Sequence, residues 1–297
     1  MYNKGIQIIF LAACIALTLY SCVPQQKAIS HKQQLAVLDS QLAQHSKKLK
    51  ELDIKRQAKQ DQNEIDDTAS NRIQKFIGIT TGEIDKLVAQ NSILVGETVV
   101  NRDDWNLLKK ALLLTKSTSK MINDKVNFIN DLIDRNMVVK LDQDVLFQSG
   151  KYTVEKDLAD AIGKFFEPAA REIDLFTQKY PDFPLSLVIT AKGYADGTSI
   201  IESSSLYKDL AEGVKLGGKV PDNKELNKEL SRRRAEAVIQ LFKKYTYGRS
   251  TMGGSVKNIL FLTEGKGEQS PYPKITDYSV NDPRRRVVLL FWSVFPE

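Results

Sequence analysis

Cysteine and histidine are scarce in this chain of 297 residues. The cysteines are Cys14 and Cys22, and the histidines are His31 and His45. Beyond residue 45 the sequence therefore lacks a histidine to activate a serine or cysteine nucleophile, and it lacks the usual zinc ligands. Acidic residues are plentiful, but no spacing singles out a glycosidase pair. We expect a protein that is not an enzyme and holds no metal and no cofactor; a cell-wall enzyme is the alternative class.

Long apolar runs are equally scarce. The one at the N-terminus, residues 6–19, follows Lys4 and is too short for an ordinary transmembrane span, but it has the length of a signal-peptide core. It ends in Leu19-Tyr20-Ser21-Cys22, which resembles a bacterial lipobox. The resemblance implies that residues 1–21 are a lipoprotein signal peptide and that Cys22 becomes the lipid attachment point, carrying palmitate or a similar acyl chain. The alternative is a leader that is cleaved elsewhere or kept as an anchor.

No cysteine follows Cys22, so an exported form of this chain would contain no disulfide and would depend on core packing. Cys22 is followed by Val23 and Pro24, and no aspartate there suggests retention at the inner membrane. We therefore expect a protein anchored by lipid to the periplasmic face of the outer membrane.

The charge balance is mildly basic, with 43 Lys and Arg against 37 Asp and Glu. A net charge of +6 suits an anionic surface such as peptidoglycan or lipid headgroups. The basic runs at 47–50 and 232–234 are not joined to an aromatic stacking motif, so nucleic acid is a poor candidate partner.

Residues 22–135 have a helical pattern and are expected to form a lipid-anchored tether. Leu35, Leu42 and Leu49 recur every seven residues, which is typical of a coiled coil. A second helix is expected over 73–94, interrupted by its glycines at 78 and 82, and a third over 104–135 with a broad apolar stripe. Such a stripe must be buried. The candidates are an antiparallel hairpin or bundle within the chain, a parallel homodimer, and contact with another envelope protein through helix 104–135.

Residues 136–297 alternate between strand and helix patterns. Strands are predicted at 138–147, 184–190, 258–262 and 287–291, and helices at 153–180 and 227–245. The third strand is expected to be buried, and the last strand is apolar throughout, which indicates cover on both faces. The fold class is therefore α/β, a C-terminal sandwich of one domain preceded by the extended helical region.

Polar landmarks punctuate this domain. The strand at 184–190 delivers Asp196 to a loop at its C-terminal end, and Arg234 lies on the helix that follows. An acid and an arginine fork placed in this way could hold a zwitterion. The alternative is that Asp196 caps a turn and Arg234 lies on a solvated helix face. The landmarks are Gly193-Tyr194-Ala195-Asp196-Gly197, Asn227 to Ala235, Gly265-Lys266-Gly267 with Pro271, and Arg285-Arg286-Val287.

The order of these landmarks resembles the OmpA C-terminal-like peptidoglycan-binding family. The resemblance implies a βαβαβ–β sandwich that binds the diaminopimelate side chain of peptidoglycan without catalysis and links the outer membrane to the cell wall. Asp196 and Arg234 would hold the zwitterionic head group, with help from the backbone near Asn227 and Leu230. The alternative function is a structural wall-anchoring subunit of a trans-envelope secretion or motor complex.

Two departures from the family pattern stand out. About thirty residues separate Asp196 from Asn227, and such an insertion can form a lid or contact a partner. Arg284 stands where the family usually has asparagine before two arginines. The geometry beside Asp196 is the part of the site that these changes affect.

Overall fold

A computed structural model describes residues 25–97, 100–135, 138–142, 146–148, 150–181, 183–214, 220–247 and 256–296, without the side chains of 156–161, 257 and 296. The fold is mixed α/β: three long helices precede a four-stranded sheet with further helices. The expectations for the signal peptide and for Cys22 lie outside the described residues. In the part that is described, no helix is both long enough and apolar enough to cross a membrane.

Three helices span most of the N-terminal half: α1 is Gln25–Asp61, α2 is Asp67–Gly96 and α3 is Arg102–Arg135. Helix α2 runs without a break through Gly78 and Gly82, so the predicted interruption is wrong. A glycine inside a helix costs only about 1 kcal/mol relative to alanine. The buried stripe on the other side of α2 outweighs this cost; it includes Ile73, Ile77, Thr80, Ile84 and Leu87.

The chain divides into two compact units, and the first, which we call the helical unit, comprises residues up to 51 together with 76–127. Its segments run antiparallel. Lys32 and Asp39 of α1 contact Glu97 and Asn91, respectively, and the Asn91–Asp39 hydrogen bond is 2.6 Å long. Thr115 and Lys125 of α3 donate to Asn91 at 3.1 Å and to Glu83 at 2.6 Å, respectively. In both helix pairs the later position on one helix meets the earlier position on the other, so neighbouring helices run in opposite directions. Of the three arrangements that the sequence allowed, this is the antiparallel one within a single chain. Within this unit, Leu35, Leu42 and Leu49 of the predicted heptad pattern are fully buried, and so is Ile122 of the stripe predicted on the third helix.

The second unit, which we call the sandwich unit, comprises residues 52–75 and 128–297. The predicted boundary between 135 and 136 stays a prediction, but part of the segment expected to be tether belongs to this unit. Its elements follow the predicted βαβαβ–β order with one helix added by the insertion. They are β1 (Val138–Asp142), α4 (Lys156–Lys179), β2 (Leu185–Gly193), α5 (Ser205–Gly213), α6 (Asn223–Thr246), β3 (Val256–Gly265), a 3-10 turn at Pro283–Arg285, and β4 (Val287–Pro296).

The strands are ordered β1-β4-β2-β3, with β2 and β3 parallel and β4 antiparallel to both of its neighbours. In this central position every β4 residue from 287 to 295 is at most 4% exposed, which confirms the prediction of cover on both faces. Strand β3 lies at the edge instead. Ile259 is 42% and Leu260 is 44% exposed, so the prediction that this strand is buried is wrong, because an edge strand has a neighbour on one side alone.

Both faces of β2 are occupied. On one face Gly193 meets the backbone of α6 at Ser231. Side chains alternate between faces along a strand, so Lys192 points to the other face, where its Nζ lies 3.0 Å from Asp66. Residues 52–75 therefore form part of the layer on that second face of the sheet.

Candidate functional site

The loop that carries Asp196 is fixed by backbone hydrogen bonds at the C-terminal end of β2. The N–H of Ala195 donates to the carbonyl of Gly267 at 2.8 Å, and the N–H of Gly197 donates to the carbonyl of Val280 at 2.7 Å. The residues on either side of Asp196 are therefore both held by the segment between β3 and β4.

The Asp196 carboxylate lies largely inside this loop, since 8% of the residue is exposed. Its Oδ1 accepts a hydrogen bond from the N–H of Thr198 at 3.2 Å, which is the turn that aspartate often makes with the backbone two residues ahead. Its Oδ2 is 3.7 Å from Nε of Arg286. The turn-capping role is therefore present, and a ligand ammonium at Oδ2 would share the carboxylate with Arg286.

Asn227 joins helix α6 to the same loop. The helix starts with a capping box, which fixes the position of its first turn. One turn further, the Nδ2 of Asn227 donates to the carbonyl of Thr198 at 3.3 Å and to Oε1 of Glu268 at 2.9 Å. Because Thr198 also bonds to Asp196, the structure brings Asn227 and Asp196 together through one intervening residue.

Leu230 lies one turn beyond Asn227 and faces the core. It is 6% exposed and packs with Leu226 of its own helix and Leu210 of α5. Its side chain stabilises the contact between the two helices. The ligand role that the family resemblance implies for the backbone near Leu230 stays a prediction.

Arg234 is buried as well, with 7% of the residue exposed. Its Nε donates to the carbonyl of Lys151 at 3.1 Å, and its guanidinium carbon lies 5.4 Å from the centre of the Phe147 ring. The alternative in which Arg234 lies on a solvated face is therefore wrong. Asp196 is likewise enclosed, by its own loop.

Two glycines let α6 approach the sheet closely enough to reach the loops. A Cβ on Gly193 would overlap the carbonyl oxygen of Ser231, and a Cβ on Gly265 would overlap that of Lys228. The hydroxyl of Ser231 then accepts a hydrogen bond from the N–H of Gly267 at 3.0 Å. The glycines at the ends of β2 and β3 thus set the distance between the helix and both loops.

Sequence reasoning assigned no role to Glu268 or Arg286, which the structure places beside the predicted residues. Glu268 accepts from Asn227, and its backbone carbonyl accepts from Nη2 of Arg285. Arg286 lies against Asp196. Arg286 lies within the last landmark, and Glu268 directly follows Gly265-Lys266-Gly267. Their proximity to these landmarks is the sequence feature that could have identified both residues.

Arg284, the residue that departs from the family pattern, is directed toward acids of its own loop. Its guanidinium lies 2.6 Å from Asp282 and 3.3 Å from Asp277. The hydrogen bonds from Arg284 lower the pKa of Asp282 to about 2. The substitution therefore supports the loop that precedes β4.

The two arginines before Arg234 are held in a separate ion-pair network on α6. Glu229 receives hydrogen bonds from Arg232 at 2.6 Å and from Arg233 at 2.9 Å. Burial of this carboxylate favours its neutral form, but the two guanidinium groups outweigh that effect and lower the pKa of Glu229. An open groove of about 710 Å³ lies beside this network, lined by Tyr152, Gly213, Glu236 and Lys244 among others.

The insertion after Asp196 is anchored to the domain at several points. Ser204 caps α5 by accepting a hydrogen bond from the N–H of Tyr207. The carbonyl of Asp209 accepts from Nη2 of Arg233 at 2.7 Å, and the N–H of Ile200 donates to Asn223 at 2.8 Å. Its described residues therefore pack on α6.

Where the structure describes side chains, no group of three or more His, Cys, Asp and Glu residues is arranged to hold a metal ion. The side chains that meet at the loop are instead carboxylate, amide and guanidinium groups. Such a set can bind ammonium and carboxylate groups of a ligand through charge-assisted hydrogen bonds.

No protein-family model matches this chain, and no curated protein matches it. Among solved structures, the chain is similar to the periplasmic domain of MotB from Helicobacter pylori, with 18% identity over 54% of this chain and 77% of that chain and a TM-score of 0.29. A second crystal structure of that domain has 17% identity over 54% of this chain and 75% of that chain, with a TM-score of 0.27. A putative MotB-like protein from Desulfovibrio vulgaris has 15% identity over 54% of this chain and 76% of that chain, with a TM-score of 0.29. A function for this chain therefore has to be inferred from its own residues.

Proposed function

We propose that this chain is a noncatalytic, lipid-anchored envelope protein that binds peptidoglycan through its diaminopimelate-type stem peptide and links the outer membrane to the cell wall. The sandwich unit carries the binding site. Cys22 carries the lipid, and the helical region between them acts as the spacer.

One observation carries the binding part of this proposal. The four sequence landmarks are spread over nearly a hundred residues, yet the fold brings all of them to the end of the sheet where β2 and β3 finish. Each landmark contacts at least one of the others or the loop between them. The contacts are Ala195 to Gly267, Tyr194 to Val287, Asp196 to Arg286, and Asn227 to Thr198 and Glu268.

The chemistry at this edge suits a zwitterionic amino-acid head group. Asp196 would receive the ammonium, and the planar fork of Arg234 would receive the carboxylate. Both charges are more than nine-tenths buried. Burial lowers the effective dielectric, so a matched ligand charge is held more strongly there than at an open surface. Arg234 is oriented by Lys151 and Phe147 before any ligand arrives.

Binding of a purified diaminopimelate-containing muropeptide tests this proposal. Asp196→Asn keeps the acceptor for the N–H of Thr198 and removes the charge, while Arg234→Met keeps much of the packing on Phe147. Each change should weaken binding by about 2–5 kcal/mol, because the partner charge stays partly desolvated and unmatched. Calorimetry should then show a loss of about 30-fold to several thousand-fold. The double variant should be scarcely weaker than either single variant, since both residues serve one ligand group.

Arg233→Met is the matched control, because it removes the same charge from another face of the same helix. Equal losses for Arg233→Met and Arg234→Met would show that the protein is attracted to the anionic wall without a specific clamp. Release of muropeptides from sacculi by the purified wild-type protein would show that the protein is an enzyme instead.

A structural subunit of a trans-envelope complex is the second candidate function. One feature of the helical unit favours it: Leu107, Leu114 and Met121 recur every seven residues on α3 and are 52%, 55% and 55% exposed. Such a stripe fits the face of a partner helix. If this candidate is correct, Leu114→Glu should abolish co-purification of an envelope partner and leave binding to sacculi unchanged.

A further inference from the structure

The turn between α1 and α2 is built to present one amide side chain. Asn63 has a φ of +60°, in the left-handed region that asparagine tolerates better than most residues. The N–H of Glu64 donates to the carbonyl of Lys59 at 2.9 Å, and the N–H of Asn63 donates to that of Gln60 at 2.8 Å. These two bonds form a Schellman motif, so the backbone of the turn is fixed by the end of α1.

The amide of Asn63 reaches two loops of the proposed binding site. Its Nδ2 donates to the hydroxyl of Tyr194 at 3.0 Å and to the carbonyl of Pro271 at 2.8 Å. Tyr194 precedes Asp196 by two residues, and Pro271 follows Glu268 by three. One side chain of the turn between α1 and α2 therefore connects the two loops whose mutual contacts shape the site.

A buried ion pair holds the same turn against the sheet. Asp66 caps α2 through the N–H of Thr68 at 3.1 Å, and its other oxygen lies 3.0 Å from Nζ of Lys192. Both Asp66 and Lys192 are at most 2% exposed, and Asp67 adds a second contact to Lys192 at 3.1 Å. Lys192 lies two residues before Tyr194 in the chain. Its pairing with Asp66 therefore holds the turn close to Tyr194, within reach of the Asn63 amide.

We propose that Asn63 is a positioning residue for the peptidoglycan site: by bonding Tyr194 and Pro271 together, it keeps the Asp196 loop and the Glu268 loop in the geometry that binds the ligand. This inference rests on the proposed function. It extends the site to the turn between α1 and α2, a part of the sandwich unit that does not touch the ligand.

Asn63→Gly in the full-length protein tests the inference. Glycine is well suited to the left-handed position of the Schellman motif, so the turn should persist while both side-chain hydrogen bonds are lost. Muropeptide binding should weaken about tenfold. Hydrogen exchange at the amides of Ala195 and Gly197, which bond across the two loops, should become about tenfold faster. The exchange of β4 amides should change much less, because the sheet core is not part of this contact.

Two further variants separate positioning from general stability. Glu64→Ala alters the neighbouring exposed side chain of the same turn and should leave both binding and exchange as in the wild type. Tyr194→Phe removes one acceptor of the Asn63 amide, so combining it with Asn63→Gly should weaken binding less than the sum of the two single effects.

Unchanged binding and unchanged exchange at Ala195 and Gly197 in Asn63→Gly would overturn the inference. An equal rise in exchange across β4 would overturn it too, because the variant would then have lost overall stability. If the wild-type protein itself does not bind the muropeptide, the proposed function fails. The exchange experiment needs no ligand and would still report whether Asn63 orders the two loops.

Discussion

At the scale of single residues, a glycine and a buried lysine on β2 connect this strand to the layers on its two faces. Gly193 permits contact between the end of β2 and the backbone of α6. Lys192, the residue before it, is 1% exposed and lies between Asp66 and Asp67 on the opposite face. Adjacent positions on one strand thus secure the sheet to two different helices.

Gly193→Ala should destabilise the sandwich unit by about 1–3 kcal/mol, since the added methyl group would force backbone shifts in a packed contact. Gly78→Ala, in the exposed part of α2, has open space around the added atom and should stabilise by up to about 1 kcal/mol. Urea unfolding of the two variants measures both effects. Effects of the same sign would mean that α6 does not press on β2 as the structure shows.

Lys192→Met should destabilise the protein by about 3–5 kcal/mol, because it leaves the Asp66 carboxylate buried without its counter-ion. Removing both charges in Lys192→Met with Asp66→Asn should recover much of this loss. Chemical unfolding of the single and double variants provides the measurement. A double variant less stable than the single one would show that Asp66 acts chiefly as the cap of α2.

The sequence predicted the secondary-structure elements that carry the site residues better than it predicted the burial of their side chains. Asp196, Asn227 and Arg234 follow recognisable glycine and serine-arginine patterns, and these patterns indicated their elements correctly. The burial of Arg234 could not be predicted, because it depends on Lys151 and Phe147, which belong to a segment far away in sequence. No local pattern records such a contact.

At the scale of elements, position in the sheet accounts for the error of prediction at β3. The apolar run at 258–262 gave the same signal as a central strand, but β3 is an edge strand. The order of strands in a sheet is a tertiary property that the periodicity of one strand does not contain. The polar segment at 56–71 contains the end of α1 and the start of α2, and it pairs its polar groups internally; Gln60, for example, donates to Asp67 at 3.1 Å.

The antiparallel packing of α3 within the helical unit gives a direct test with neighbouring residues. Ile122 is fully buried and Met121 is 55% exposed. Ile122→Asp should lower the free energy of unfolding by several kcal/mol, because an unpaired charge would enter the core. Met121→Asp carries the same helix penalty and should stay within about 1 kcal/mol of wild type. Equal melting of the two variants would place Ile122 on an exposed face.

At the scale of the whole molecule, the proposed lipid anchor rests on Cys22, which lies outside the described residues. If Cys22 is acylated through its thiol as proposed, Cys22→Ala should move the protein from the membrane fraction to a soluble or uncleaved form. Metabolic labelling with a palmitate analogue, followed by fractionation, gives the readout. Unchanged lipid labelling of the variant would rule out Cys22 as the attachment point.

The pairing of Asp66 with Lys192 has a consequence for the order in which the protein can fold. The two residues are 126 positions apart, and a ribosome completes the earlier one long before the later one exists. The strand that lies between β1 and β2 is β4, which is synthesised after every other described element. The four-stranded sheet therefore cannot be completed until β4 has been synthesised, because β4 is the strand with which β1 pairs. A variant truncated before β4 would leave β1 without its strand partner, so the first strand of the sheet depends on the strand that lies farthest from it in sequence.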